Sequence, residues 1–498
     1  MKIDRRLRAS LLVFSFSVLG FLVMGYHPGA EDDEIYLTSV KSVLNPALYP
    51  HDSAFFKLQL RSSLFDSWMA HFVRLSGIPL DWAELLWQVA SIAVILWACW
   101  SILRLLFTGA SAHWAGVAAV SAMFTLPVAG TALYILDQHL HPRNSATALI
   151  LVAVYCVLAG HRWRAIPLLL AAFFLHPLMA VFGVSFSFIL ALCLEEDLSA
   201  RLRGLSKKAN SPVTSAAVLI PFGWVVGPPS PIYLEALRSR HFLFLYRWVW
   251  YEWLGALAPL FILAWVARVA GRRGERKLAC FAAAVAIYGS LQMALSMAIL
   301  SPLAPIGLTA LEPMRFLQLV YVFLVMIGGA YLGRYILRAH LWRWAIFLLL
   351  ANGGMFIAQR QLFPSTPHLE LPSKASSNPW LQAFSWIKYN TPIDAYFTVD
   401  PLYMNAPGND HHGFRALAER SVMADDIKDT AVVTKVPELA SEWKREVEAQ
   451  KGWKSFQLGD FQRLKSEFGV NWVLENYPQP KGFDCKWHND MLAVCQIP

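Results

Sequence analysis

Hydrophobic runs near bilayer-spanning length recur from the start of this chain to about residue 357, and they decide what it can fold into. Lipid offers backbone N–H and C=O groups no partner, so such runs must become helices that pack together. Eleven runs can be read: near 11–26, 83–107, 113–136 and 145–160, two short ones within 165–194, then 212–227, 249–270, 279–300, 316–337 and 342–357. Only 15% of the 498 residues are charged and 56% are hydrophobic, whereas soluble domains carry about a quarter charged residues. Mean hydropathy is +0.42. The 20 Trp and 16 Tyr suit the two membrane interfaces, where an apolar ring with a polar edge sits best.

The net charge of +9 is no signal for nucleic acid. The basic residues fall in short clusters between apolar runs, such as Arg162 to Arg164, Lys207 with Lys208, and Arg272 to Lys277. Cytoplasmic loops look like this under the positive-inside rule. The basic N-terminal residues and the run 11–26 read as an uncleaved first helix with its N-terminus inside. A signal peptide is the competing reading.

The stretch 165–194 is too long for one span, about 45 Å as a helix against a hydrocarbon core of roughly 30 Å. A break at His176-Pro177 gives two short spans and returns the following basic cluster to the cytoplasm. Eleven crossings then place every strong basic loop inside, the first long loop (27–80) outside, and residues 358–498 outside. The expected fold is a polytopic α-helical membrane domain, 1–357, followed by a small extracytoplasmic α/β domain, 358–498. In that tail 395–399, 470–474 and 492–497 read as strands, and 379–389, 437–449 and 460–468 as helices.

Cys485 and Cys495 stand close together in the tail, and a disulfide between them suits an oxidising compartment. The remaining four cysteines are scattered singly in apolar segments, as small buried hydrophobes are.

Four consecutive acids, Glu31-Asp32-Asp33-Glu34, follow the first run directly. Such a cluster is either a solvated loop or a site at lipid headgroup depth. As a site it offers oxygen ligands for a divalent cation such as Mg or Mn, or a carboxylate base for a hydroxyl proton. Asp32 and Asp33 are alternatives for the base, with Glu34 positioning it. His139 and His141 alternate in a neighbouring outer loop and are candidate metal ligands with Asp32 and Asp33. Arg143, His176, Arg240, Arg247 and Arg315 lie at outer ends of runs, where orientation rules disfavour arginine, and are candidates to bind a phosphate. The bland readings are a helix break at His176 and an interfacial Arg247 among aromatic rings. His411, His412 and Arg415 in the tail are candidates for acceptor recognition, or for a solvated loop.

One span, an acid-opened outer loop, many further spans and an outer soluble domain together resemble the GT-C superfamily of integral-membrane glycosyltransferases. Asp33-Glu34-Ile35-Tyr36 is similar to the acidic motif of its protein mannosyltransferases and aminoarabinose transferases. His176-Pro177 and Glu312-Pro313-Met314-Arg315 are similar to elements of bacterial relatives. The resemblance implies a polyprenyl-phosphate sugar as donor, a glycan, lipid or protein as acceptor, and transfer at the extracytoplasmic face of the inner (plasma) membrane. A secondary transporter and a non-catalytic cell-envelope protein are the competing functions; an oligosaccharide ligase or polymerase is the nearest enzymatic rival.

Overall fold

The computed structural model describes residues 5–61, 63–195 and 229–498. The cluster at Lys207 and Lys208 and the run 212–227 lie outside the described residues. Helix α1 (Arg5–Met24) ends at Gly25, whose φ of +83° turns the chain out of the bundle. Three short helices follow, α2 (Asp33–Leu44), α3 (Ala54–Leu60) and α4 (Phe65–Ser76). The chain re-enters the bundle through α5 (Leu80–Leu106) and α6 (Ala110–Ala122).

The run 113–136 was expected to be one span, and that is corrected. Helix α6 stops after 13 residues, and the chain continues as a partly buried hairpin of β1 (Pro127–Val128) and β2 (Leu133–Tyr134). Pro127 supplies no amide proton for a helix. Gly130 has φ +62°, and a Cβ there would lie 2.4 Å from the Trp248 ring. Hydropathy is continuous through this run while the backbone conformation is not.

Next come α7 (Pro142–Leu158), α8 (Arg162–Leu175) and α9 (Pro177–Cys193). His176 separates the last two with extended backbone (φ −150°, ψ 91°), and its Nδ1 accepts the Met179 amide at the start of α9. Beyond the undescribed segment lie α10 (Pro231–Ser239), α11 (Trp250–Arg272), α12 (Arg276–Ile299), α13 (Leu317–Leu332) and α14 (Leu341–Leu362). Among the described residues, six stretches are long and apolar enough to cross a membrane: 7–24, 80–106, 250–272, 276–299, 306–337 and 341–362; α7 and α9 are shorter apolar helices. Large apolar side chains such as Phe261, Trp265 and Leu349 are 73%, 65% and 72% exposed on these helices, as lipid-facing positions are.

The C-terminal region is α15 (Pro379–Asn390), β3 (Tyr396–Val399), α16 (Phe414–Ala418), β4 (Ser421–Val422), α17 (Lys428–Lys435), α18 (Ala440–Ala449), α19 (Leu458–Phe468), β5 (Trp472–Asn476), β6 (Asp484–His488) and β7 (Leu492–Gln496). Its five-stranded sheet has the order β4-β3-β5-β7-β6, with β3 parallel to both β4 and β5 and with β7 antiparallel to β5 and β6. Cys485 and Cys495 form a disulfide between β6 and β7.

This region is not a detached unit. Ile35, Tyr49 and Phe56 of the first loop share one core with Tyr233 and Leu237 of α10 and with Val432, Val433 and Trp443. That shared core holds the acidic run against the C-terminal region.

A charged cleft around Asp32

Helix α2 starts inside the acidic run, and the first helical turn sends its carboxylates in different directions, since successive residues are about 100° apart. Asp33 turns into the bundle. It is 1% exposed, accepts the Gly29 amide at 2.9 Å and hydrogen-bonds Glu84 of α5. Burial, with Glu84 beside it, pushes the Asp33 carboxyl well above the usual carboxylate range. Two facing acids in a buried site stay together only if a proton is held between them.

Glu34 turns toward the C-terminal region. Its oxygens accept the Arg415 and Ala416 amides, each at 3.0 Å, and Gly413 packs so closely that a Cβ there would lie 2.2 Å from Oε2. Burial raises this carboxyl to about 8, despite the opposing pull of the Arg415 guanidinium and the amide bonds.

Asp32 keeps 35% of its side chain exposed. Its Oδ1 accepts the Lys428 ammonium at 3.0 Å, and its Oδ2 faces His141 Nε2 at 3.5 Å. Burial works against the charged form, but Lys428, His141 and Arg143 outweigh it and hold Asp32 well below the usual range. It is an ionised, partly exposed carboxylate.

The loop before α7 supplies the facing groups. His141 Nδ1 caps α7 by accepting the Arg143 amide at 2.9 Å, which leaves Nε2 as the nitrogen that donates toward Asp32. Burial and the neighbouring Arg143 lower this imidazole to about 4, against the attraction of Asp32. Arg143 makes a two-pronged bond to Asp137, from Nε at 3.2 Å and Nη2 at 2.6 Å. Its Nη1 is buried with no hydrogen-bond partner among the described residues, as is His139 Nε2. His176 comes within 5.9 Å of His141, ring to ring. On the far side Arg315 Nε and Lys435 Nζ both lie 2.8 Å from Glu312. Glu312 and Arg315 also line a small pocket with Gly130, Phe242 and Met314. Arg240 donates to the Ile427 carbonyl and feels the fields of Asp425 and Asp32 as burial lowers its pKa.

Several candidates lie elsewhere. Arg247 sits over the Phe244 and Tyr246 rings and donates to the Arg238 carbonyl at 2.6 Å, an interfacial arrangement apart from the acids. Arg415, expected to meet an acceptor, is 1% exposed and bonds both Asp429 oxygens at 3.0 and 2.8 Å. It is a buried scaffold ion, because an unpaired guanidinium at that depth is far costlier than a paired one. His412 is likewise buried and bonds Glu370. Of that trio only His411 is substantially exposed, 3.9 Å from Glu31.

The proposed metal set of Asp32, Asp33, His139 and His141 does not fit a cation. Asp33 faces away, and His141 Nδ1 is committed to its helix cap. Lys428 Nζ lies 2.6 Å from Glu31 and 3.0 Å from Asp32, where a divalent ion bridging the two carboxylates would sit. Sequence reasoning missed Lys428, Lys435 and Glu84. Lys428 stands in Asp425-Asp426-Ile427-Lys428-Asp429, a charged stretch nearly 400 residues from its partners, and no local pattern announces the contact.

No family model and no curated protein matches this sequence. Among solved structures, the crystal structure of the Archaeoglobus fulgidus oligosaccharyltransferase in complex with Zn and sulfate aligns with it at a TM-score of 0.46 and 11% sequence identity. The alignment covers 93% of this chain and 68% of that chain. A likeness at this level is one of outline and assigns no residue.

Proposed function

We propose that this chain is a membrane glycosyltransferase that moves a sugar from a polyprenyl-phosphate donor to an acceptor hydroxyl at the extracytoplasmic face. The observation that carries the reading is Asp32: an ionised, one-third-exposed carboxylate facing a ring of imidazoles and cations where helices of the apolar bundle end. Transfer needs two things of the protein. A carboxylate must orient the acceptor hydroxyl and take its proton as the new glycosidic bond forms. Cations must stabilise the charge that collects on the departing lipid phosphate as the old bond breaks.

In this reading Asp32 holds the hydroxyl. Asp33, buried and paired with Glu84, is not the base in this reading. Lys428 and His141 keep Asp32 charged and aimed. Arg315 and Arg240, with His176 beside them, receive the phosphate, and the unpaired Nη1 of Arg143 offers one more donor. Arg315 exchanges part of its contact with Glu312 for the phosphate, and Lys435 remains to neutralise Glu312.

Purified protein supplied with polyprenyl-phosphate sugars tests this. Asp32→Asn should lower turnover by about 100-fold or more, the scale of a lost general base, while donor binding persists. Turnover by Asp32→Asn equal to that of the unaltered protein would sink the assignment.

A further inference from the structure

We propose that His27, Glu370 and His412 form a zinc site that fastens the C-terminal region to the end of α1, whether or not the chain transfers sugars. The three side chains come from separate parts of the sequence, and backbone pairing brings them together. Tyr26 donates to the His368 carbonyl at 3.0 Å and accepts from Glu370 at 2.9 Å, so His27 and Glu370 flank one small ladder. A second bridge, between Ala30 and His412, delivers the other imidazole.

The ligand atoms suit a small tetrahedral ion. His27 Nδ1 lies 2.6 Å from Glu370 Oε1, and His412 Nε2 lies 3.1 Å from both carboxylate oxygens. One ligand atom from each residue falls within 4.8 Å of the other two. Bonds of about 2.0–2.1 Å to zinc set ligand atoms about 3.3 Å apart in a tetrahedron, so small side-chain movements admit the ion. His412 Nδ1 is 2.8 Å from the Asn409 carbonyl, the outer hydrogen bond that fixes a ligating histidine's tautomer and frees Nε2 for the metal. His27 is held flat on Phe363, ring centroids 3.8 Å apart and planes 8° from parallel.

Two imidazoles and one carboxylate favour zinc over magnesium or calcium, which prefer all-oxygen shells. Three protein ligands leave a fourth position for water, and Glu370 keeps 11% of its side chain exposed. The consequence is mechanical. His27 also donates its amide to Gln138 at 2.9 Å, so an ion here ties together the acidic run, the histidine loop and the C-terminal region.

The full chain in detergent, stripped with a chelator and then titrated with Zn²⁺, decides the matter by metal analysis. The expected result is one zinc per chain. Glu370→Gln and His412→Ala should each weaken binding by about 100-fold or more, beyond what losing an outer hydrogen-bond partner of a ligand costs. Cobalt(II) added to the unaltered chain guards against variants that fail to fold, and should give the visible bands of a four-coordinate nitrogen and oxygen site. Absence of retained zinc and of cobalt bands in the unaltered chain overturns the proposal, as does unchanged affinity in both variants. Asp32→Asn should bind zinc as the unaltered chain does, so failure of the transfer reading and failure of this one are told apart.

Discussion

Removing the Glu34 side chain should loosen the C-terminal region from the membrane bundle without unfolding either. Glu34→Ala strips the acceptors from two buried amides, Arg415 and Ala416, each bonded at 3.0 Å. It also removes the second carboxylate near the Arg415 guanidinium, 3.5 Å away, leaving Asp429 at 2.8 Å as its partner. Each orphaned buried donor costs about 1–3 kcal/mol, so the change should cost about 2–5 kcal/mol. Helix α16 has only five residues and little stability of its own, so the cost should be felt there first. Hydrogen exchange read by mass spectrometry checks this. Peptides covering 413–419 should lose protection by about 30-fold or more, since each 1.36 kcal/mol is a factor of ten, while peptides from α5 and α13 stay protected. Glu34→Gln keeps one acceptor and should cost about 1–2 kcal/mol. It should also remove a pH dependence. The folded carboxyl is raised from the ordinary 4.5 to about 8, so the folded state keeps a proton that the unfolded chain loses above 4.5. Stability therefore falls as pH rises through that window, and Glu34→Gln flattens that fall. Unchanged exchange at 413–419 in Glu34→Ala would refute the idea that this acid joins the two parts.

Gly413→Ala forces a methyl to within 2.2 Å of Glu34 Oε2 and should cost about 1–3 kcal/mol in thermal unfolding; Gly459→Ala, in helix α19 with open space around it, is the control and should lose no stability. Burial and the nearby Asp52 raise Glu446 to about 9, so Glu446→Gln should stabilise the chain by about 1–2 kcal/mol near pH 8, with the gain vanishing below the ordinary carboxylate pKa; a gain independent of pH would contradict the burial argument. Lys428→Met leaves Glu31 and Asp32 without their shared cation. At an effective dielectric of about 20, charges 3.0 Å apart interact by about 5 kcal/mol, and the partial exposure of Asp32 reduces this to about 1–2 kcal/mol, or roughly one pKa unit. The acidic limb of transfer activity should then move up by about one unit, and an unmoved limb would show that Asp32 does not set it.

Much of the local structure was legible along the chain. The break at His176-Pro177 follows from a run too long for one span and from a basic cluster beyond it that belongs inside. The strands near 396, 472 and 492 follow from short β-branched and aromatic runs between turn residues. The run 113–136 misled because hydropathy measures transfer to lipid and is blind to Pro127 and Gly130, whose backbone demands end the helix. Asp32 and Asp33 were indistinguishable in sequence, since both are carboxylates beside the same span. Helical rotation turns one toward Glu84 and the other toward Lys428, and neither partner is near in sequence.

An apolar bundle, an acid run at the end of its first helix and a small C-terminal α/β region were determined by residue order alone, because periodicity and hydropathy act over a few turns of chain. Which acid stays charged, and which arginine is scaffold, was decided only when segments hundreds of residues apart met. Charge state depends on burial and on partners within a few ångströms, and those distances exist only in the folded protein.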